Sequence, residues 1–132
     1  MAVSEEAHKI RMQWLESNRD SSPSEWIELT EKGFLVKQRR FGGLFKPKQH
    51  SIELKDIKEI YAGIFDCFTC HPMKLNFVSD NTEDIRVDEL TGNYSQLFEK
   101  VLQVFPDFDK DMYYEVEGYF PGEGNQLCWK AK

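Results

Sequence analysis

Cys67-Phe-Thr-Cys70-His71 is the segment whose residue types and spacing speak most directly of chemistry. Two thiols followed at once by a histidine spell the attachment sequence of a c-type haem, with His71 as the iron ligand. The same cysteines would supply one close pair of a zinc site, with His50 and Cys128 completing it, although structural zinc commonly takes two close pairs. A redox dithiol needs a thiolate stabilised at a helix N-terminus, and this pair falls at the end of a strand, beside Pro72. Haem attachment also goes with export, yet Met1-Ala-Val-Ser-Glu-Glu-Ala-His8 carries acids where an export signal carries cations. Two small, partly buried thiols is the reading these facts favour. No cofactor and no metal is expected, and a metal or redox protein using Cys67, Cys70 and His71 stands behind two other readings.

The remaining candidates for catalysis are sparse. His8, His50 and His71 have no Ser, Cys or carboxylate neighbours in a nucleophilic motif, and each reads as a surface or hydrogen-bonded histidine. The acid pairs Asp88-Glu89 and Asp107/Asp109 have the chemistry of general acids and bases, but such pairs are usually solvated. Gly118, Gly122 and Gly124 neither follow a strand nor open a helix, so they do not make a phosphate loop. The sequence therefore predicts a binder with no catalytic residue, not an enzyme.

Charge is strongly divided along the chain. Between Glu31 and Glu53 stand Lys32, Lys37, Arg39, Arg40, Lys46 and Lys48 with no carboxylate among them. From Asp107 to Glu123 the acids Asp107, Asp109, Asp111, Glu115, Glu117 and Glu123 face only Lys110, amid Phe108, Tyr113, Tyr114, Tyr119 and Phe120. Carboxylates interleaved with rings suit a basic partner, the rings anchoring and the charges steering. The expected contact surface is Asp107, Asp109, Asp111, Tyr113, Tyr114, Glu115, Glu117 and Phe120; the plain alternative is acids that keep a ring-rich segment soluble. The rival site is the basic hairpin, where Lys37, Arg39, Arg40 and Lys46 would hold a lipid headgroup and Phe41, Leu44 and Phe45 would enter the interface. Lys37 and Arg39 share one strand face with Arg40 opposite, and an anionic membrane repels the acidic remainder. A net charge of -6 and a pI near 5.1 argue against nucleic acid as partner.

The elements that must position these residues follow from periodicity. Val3, Ala7, Ile10 and Trp14 mark one face of a helix over 5–17, with Ser4 as N-cap, and 18–24 reads as a linker. Period-two patterning then predicts strands at 26–30 and 34–41 around a turn at 31–33, a strand at 50–54, a corner at 55–57 and a strand at 59–68. A further hairpin joins 74–78 to 84–88. Asn93 is placed to cap an amphipathic helix with Tyr94, Leu97, Phe98, Val101, Leu102 and Phe105 inward, ended by Pro106. Met112 to Val116 alternates loosely, and with 126–129 it reads as one edge strand or two short ones.

With 132 residues, 40% hydrophobic, the chain holds one core. The predicted division is an N-terminal helix and linker over 1–24 and a single domain over 25–132 with an irregular acidic tail. No apolar run reaches the ~18 residues of a membrane span, and three scattered cysteines fit a reducing compartment, so a cytoplasmic location without integral membrane association is expected.

Ile27-Glu-Leu-Thr-Glu-Lys-Gly33, Ile52-Glu-Leu-Lys-Asp-Ile-Lys-Glu-Ile60 and the Leu97 to Phe105 helix together resemble the pleckstrin-homology-like superfold, over about residues 25 to 106. Val104-Phe-Pro-Asp-Phe-Asp109 with Gln126-Leu-Cys-Trp129 resembles the ending of small bacterial proteins with that layout. The resemblance implies an α+β fold, an antiparallel half-barrel of about six strands plugged by a C-terminal amphipathic helix, with an extra helix in front. It leaves function open. In general character the chain is similar to immunity proteins, which block a toxin with carboxylates, so a basic toxin is the most concrete partner expected.

Overall fold

A computed structural model describes residues 5–17, 24–40, 45–65, 72–118 and 124–132, with only the backbone described at Arg40, Phe45 and Pro47. The first sheet is a meander of β1 (Glu25–Leu29), β2 (Gly33–Arg40) and β3 (Phe45–Glu53), all antiparallel. Alternation sends Ile27, Phe34, Val36 and Ile52 inward, each buried. β3 starts at Phe45, well before the expected His50, because pairing with β2 carries through the polar run Lys46 to His50. The β1–β2 turn closes through Thr30 N–H to Gly33 O at 2.9 Å and Gly33 N–H to Thr30 Oγ1 at 2.9 Å.

A single 3₁₀ turn, Leu54–Asp56, makes the expected corner into the second sheet. That sheet has the order β6-β5-β4-β7, formed by β4 (Ile57–Ile64), β5 (Met73–Ser79), β6 (Ile85–Asp88) and β7 (Gln126–Lys130). Every second side chain of β5, Met73, Leu75, Phe77 and Ser79, is buried. The strand β7 returns after two helices to pair antiparallel with β4, setting Ile60 opposite Trp129.

Three α-helices complete the described fold: α1 (Glu5–Ser17), α2 (Tyr94–Val104) and α3 (Lys110–Val116). The inner face of α2 is as expected, with Tyr94, Leu97, Phe98 and Val101 buried and Phe105 following. Its start differs. Asn93 occupies the N-cap position, but its side chain makes no capping bond; it adopts φ 67, ψ 20, and its side-chain amide donates to Ile27 O at 2.9 Å. An αL residue other than glycine is disfavoured by roughly 1–2 kcal/mol, least for Asn, and the bond to the first sheet offsets that cost. The same turn joins the sheets through Ile27 N–H to Gly92 O and Gly92 N–H to Glu25 O, both 2.9 Å.

The acidic tail is not an edge strand where one was expected. Residues 110–116 form α3, with Asp109 as N-cap accepting from Met112 N at 3.0 Å. Five residues of mixed polarity fit either period, and the cap decides for the helix. Among the described residues of the tail only 126–130 is a strand. The described residues thus form an α+β fold, with antiparallel sheets of three and four strands and three α-helices. Among the described residues no helix is long and apolar enough to cross a membrane.

Gly33 marks the tightest approach between strands. A β-carbon there would stand 2.0 Å from the carbonyl oxygen of Ile52, which is backbone and cannot swing aside. Gly33→Ala is expected to destabilise the protein by roughly 2–3 kcal/mol, read as a lowered urea midpoint, through this overpacking.

Candidate functional site

The face of α1 that packs on the body is His8, Arg11, Met12 and Leu15, one helical stripe. The sequence pointed to another stripe, Val3, Ala7, Ile10 and Trp14. Val3 lies outside the described residues, and Ile10 and Trp14 are 61% and 63% exposed. The reason is electrostatic. Two carboxylates, Glu89 and Glu117, are almost fully buried beneath α1. Each would cost several kcal/mol without a partner, whereas burying Ile10 and Trp14 would return about 1.5–3 kcal/mol apiece.

Arg11 meets that demand. Its Nη2 lies 2.7 Å from Glu89 Oε2 and 2.5 Å from Glu117 Oε1. His8, 2% exposed, donates from Nδ1 to the same Glu117 oxygen at 2.5 Å, since a carboxylate only accepts. Glu89 Oε1 accepts from the backbone N–H of Met73 at 2.6 Å, and its own N–H reaches Met73 O at 3.0 Å, so this turn residue continues the β5–β6 ladder. Asp88 and Glu89, expected to be solvated, are therefore both buried. Beneath them Tyr94 and Tyr113 share a hydroxyl hydrogen bond of 2.7 Å that ties α2 to α3. The imidazole of His8 sits among the rings of Phe98, Tyr113 and Tyr114, at centroid distances of 5.3, 5.1 and 5.2 Å. Its Nε2 is buried with no hydrogen-bond partner among the described residues.

Burial raises the pKa of Glu89, while Arg11 and the Met73 N–H act the other way. Burial likewise raises Asp88, opposed by the N–H of Leu90. Burial works against the Arg11 charge too, but Glu89 and Glu117 outweigh it and leave Arg11 raised. Tyr94 and Tyr113 are pushed far above the usual phenol range by burial, and Tyr114 to about 12.

Chemically, His8, Glu89 and Glu117 offer three metal-ligand atoms within 4.8 Å of one another. The Arg11 guanidinium already bonds to both carboxylates, and it supplies the cation that a metal would bring. The cluster therefore works as a lock for α1. Sequence reasoning missed it because its members are scattered; the one available signal was a histidine and an arginine at i and i+3 on a helix.

The predicted acidic aromatic set is split between surface and core. Asp107, Asp109, Asp111 and Glu115 are exposed. Asp107 accepts from Trp129 Nε1 at 2.8 Å, and Asp109 is spent on the α3 cap. Tyr113 and Tyr114, expected as outward anchors, are 0% and 6% exposed, and Glu117 belongs to the buried lock. The helical period accounts for this correction: it turns Tyr113, Tyr114 and Val116 inward and leaves Asp111 and Glu115 outside. Phe120 lies outside the described residues.

The basic hairpin is largely committed to its own sheet. Lys37 pairs with Glu28 at 3.0 Å, and Arg39 lies over the Trp26 ring at 5.5 Å. Lys46 is exposed, and the Arg40 side chain is not among the described ones. Cys67, Cys70 and His71 also lie outside the described residues. Cys128 is buried on β7 with its thiol pushed up to about 12, first by burial and then by Asp109. No protein-family profile, curated protein or solved structure matches the chain.

Arg11→Met is expected to destabilise the protein by about 3 kcal/mol, the low end for stripping a partner from buried charge, because the guanidinium is itself part-exposed. Amide hydrogen exchange in α1 is expected to speed up with the loss. A second test uses pH. Since the pKa of Glu89 is raised on folding, the native state holds more protons between the ordinary carboxylate pKa and the raised one. Stability from this group therefore falls as pH rises through that window. Urea titrations are expected to show the wild-type protein losing stability relative to Glu89→Gln as pH climbs from about 4.

Proposed function

We propose that this chain is a non-enzymatic protein-binding domain that receives a basic partner on the carboxylates of α3 and of the first turn of α1. The observation that carries this reading is the placement of the exposed acids. Asp111 and Glu115 stand outward on α3, with Asp107 and Asp109 before them. The docked α1 brings Glu5 to Lys110, the one cation between Asp107 and Glu123, at 4.0 Å. Glu5 and Asp111 both act on Tyr114, so the two helices present their charges side by side.

The buried tyrosines change the part that the rings play. Tyr113 and Tyr114 hold α3 rigidly against the core, and the carboxylates above them are presented in fixed positions. Preorganised charge raises the association rate and selects the sign of the partner. Neutralising a basic toxin is the most concrete form of this role, in a cytoplasmic setting. The pleckstrin-homology-like layout belongs to the same reading, supported by the β1–β3 meander, the β4–β6 strands and α2; α3 and β7 are additions to it.

The test is capture by the immobilised chain from an extract of its source cells. High-pI polypeptides are expected to be retained in dilute buffer and released by about 0.5 M salt, where screening shortens to a few ångströms. Asp111→Asn with Glu115→Gln is expected to abolish retention. A captured protein that is acidic, or one indifferent to salt and to these substitutions, would refute the reading.

A further inference from the structure

Between α1 and α2 runs an open groove of about 430 Å³, within the ~300–1,000 Å³ range of ligand-binding clefts. Its floor is apolar: Met12, Phe98 and Tyr114 are buried there, and Leu102 is half-buried. Its rim is acidic. Glu5, Glu16 and Glu99 line it with Lys9, and Glu5 lies 3.6 Å from Lys9 and 4.0 Å from Lys110 outside the groove. Glu16 also accepts from Ser95 Oγ at 3.1 Å, linking the two helices at the rim. The cleft between β2, β3 and the Leu54–Asp56 corner mixes Lys32 with acids and has no comparable apolar floor.

We infer that this groove is the anchor site for a cationic amphipathic segment of a partner protein, with apolar side chains on the Met12–Phe98–Leu102–Tyr114 floor and flanking lysines or arginines against the rim. The inference rests on the binding role proposed above and names the part of the partner that is held. Charge complementarity selects the occupant: acids outnumber lysines in the lining, so a cationic segment is favoured there and an anionic one is repelled. Glu5 belongs both to the rim and to the acidic face beside α3, so one polypeptide can engage both. The energetic roles divide accordingly. The floor supplies affinity through desolvation, and the acids of α3 supply steering. Helix-in-groove recognition works this way, an apolar stripe seated between charged flanks.

Two fluorescein-labelled peptides of equal positive charge, one with leucines at i, i+3, i+4 and i+7 among lysines and one with serine for leucine, test this by anisotropy with the full chain. The lysine–leucine peptide is expected to bind at least about tenfold tighter, the return on roughly two buried methylenes. Leu102→Gln is expected to erase that preference and leave the serine peptide unaffected. Gln13→Arg, a long cationic side chain set over the floor from an exposed position on the groove wall, is expected to weaken both peptides and to erase the preference as well, which covers the case of Leu102→Gln failing to fold. Equal affinity for both peptides, or a preference that survives both variants, would overturn the groove as anchor. The wider reading would then stand if the serine peptide still bound and lost its affinity in Asp111→Asn with Glu115→Gln. Binding of neither peptide would end both ideas. Dimers of the chain alone that Gln13→Arg dissolves would name a second copy as the occupant and overturn the inference.

Discussion

One guanidinium between two buried carboxylates holds the arrangement of this protein together. Arg11 comes from α1, Glu89 from the turn after β6 and Glu117 from the end of α3, with His8 as a second donor to Glu117. Because Glu89 also binds the Met73 backbone, the second sheet is fastened to both helices through a single side chain. Charge-assisted bonds of this kind are roughly twice as strong as neutral ones. Their directionality also matters: only one rotation of α1 about its axis presents Arg11 and His8 to the acids. Hydrophobicity alone would have chosen the Ile10 and Trp14 face.

That rotation sets the outer surface as well. Turning His8 and Arg11 inward places Glu5 beside Lys110, and it places Met12 opposite α2 with carboxylates at the edge. The tail follows the same logic on a smaller scale. The Asp109 cap starts a helix, the helix sorts its residues, and the acids are left outside while the tyrosines meet at the Tyr94–Tyr113 bond. Packing and surface charge are thus two sides of one helical sorting.

The parts of the fold readable from sequence were those with long, regular patterns. The alternation of β5 from Met73 to Phe77, the stripe of α2 and the span of α1 needed no tertiary information. Three features were hidden, each for a physical reason. The helical state of 110–116 depended on a cap in a segment too short for its period to speak. The αL turn at Asn93 depended on a carbonyl, that of Ile27, distant in the chain. The inward face of α1 depended on acids that burial had already placed. The carboxylates Asp107, Asp109, Asp111 and Glu115 were legible as surface, whereas Tyr113, Tyr114 and Glu117 were not legible as interior, since sequence gives a ring no direction until its helix is known.

The separations between partners in the lock are large: Arg11 lies 78 residues before Glu89 and 106 before Glu117. Translation delivers the chain in order, so α1 leaves the ribosome long before either acid exists to receive it. Strand β4 likewise waits for β7, which follows α2 and α3 in the chain. Contacts of such span slow folding, because loop closure precedes any energetic return. The nascent meander β1–β3 can form early from neighbouring residues, but α1, which precedes it in the chain, finds its seat only after α3 has been made.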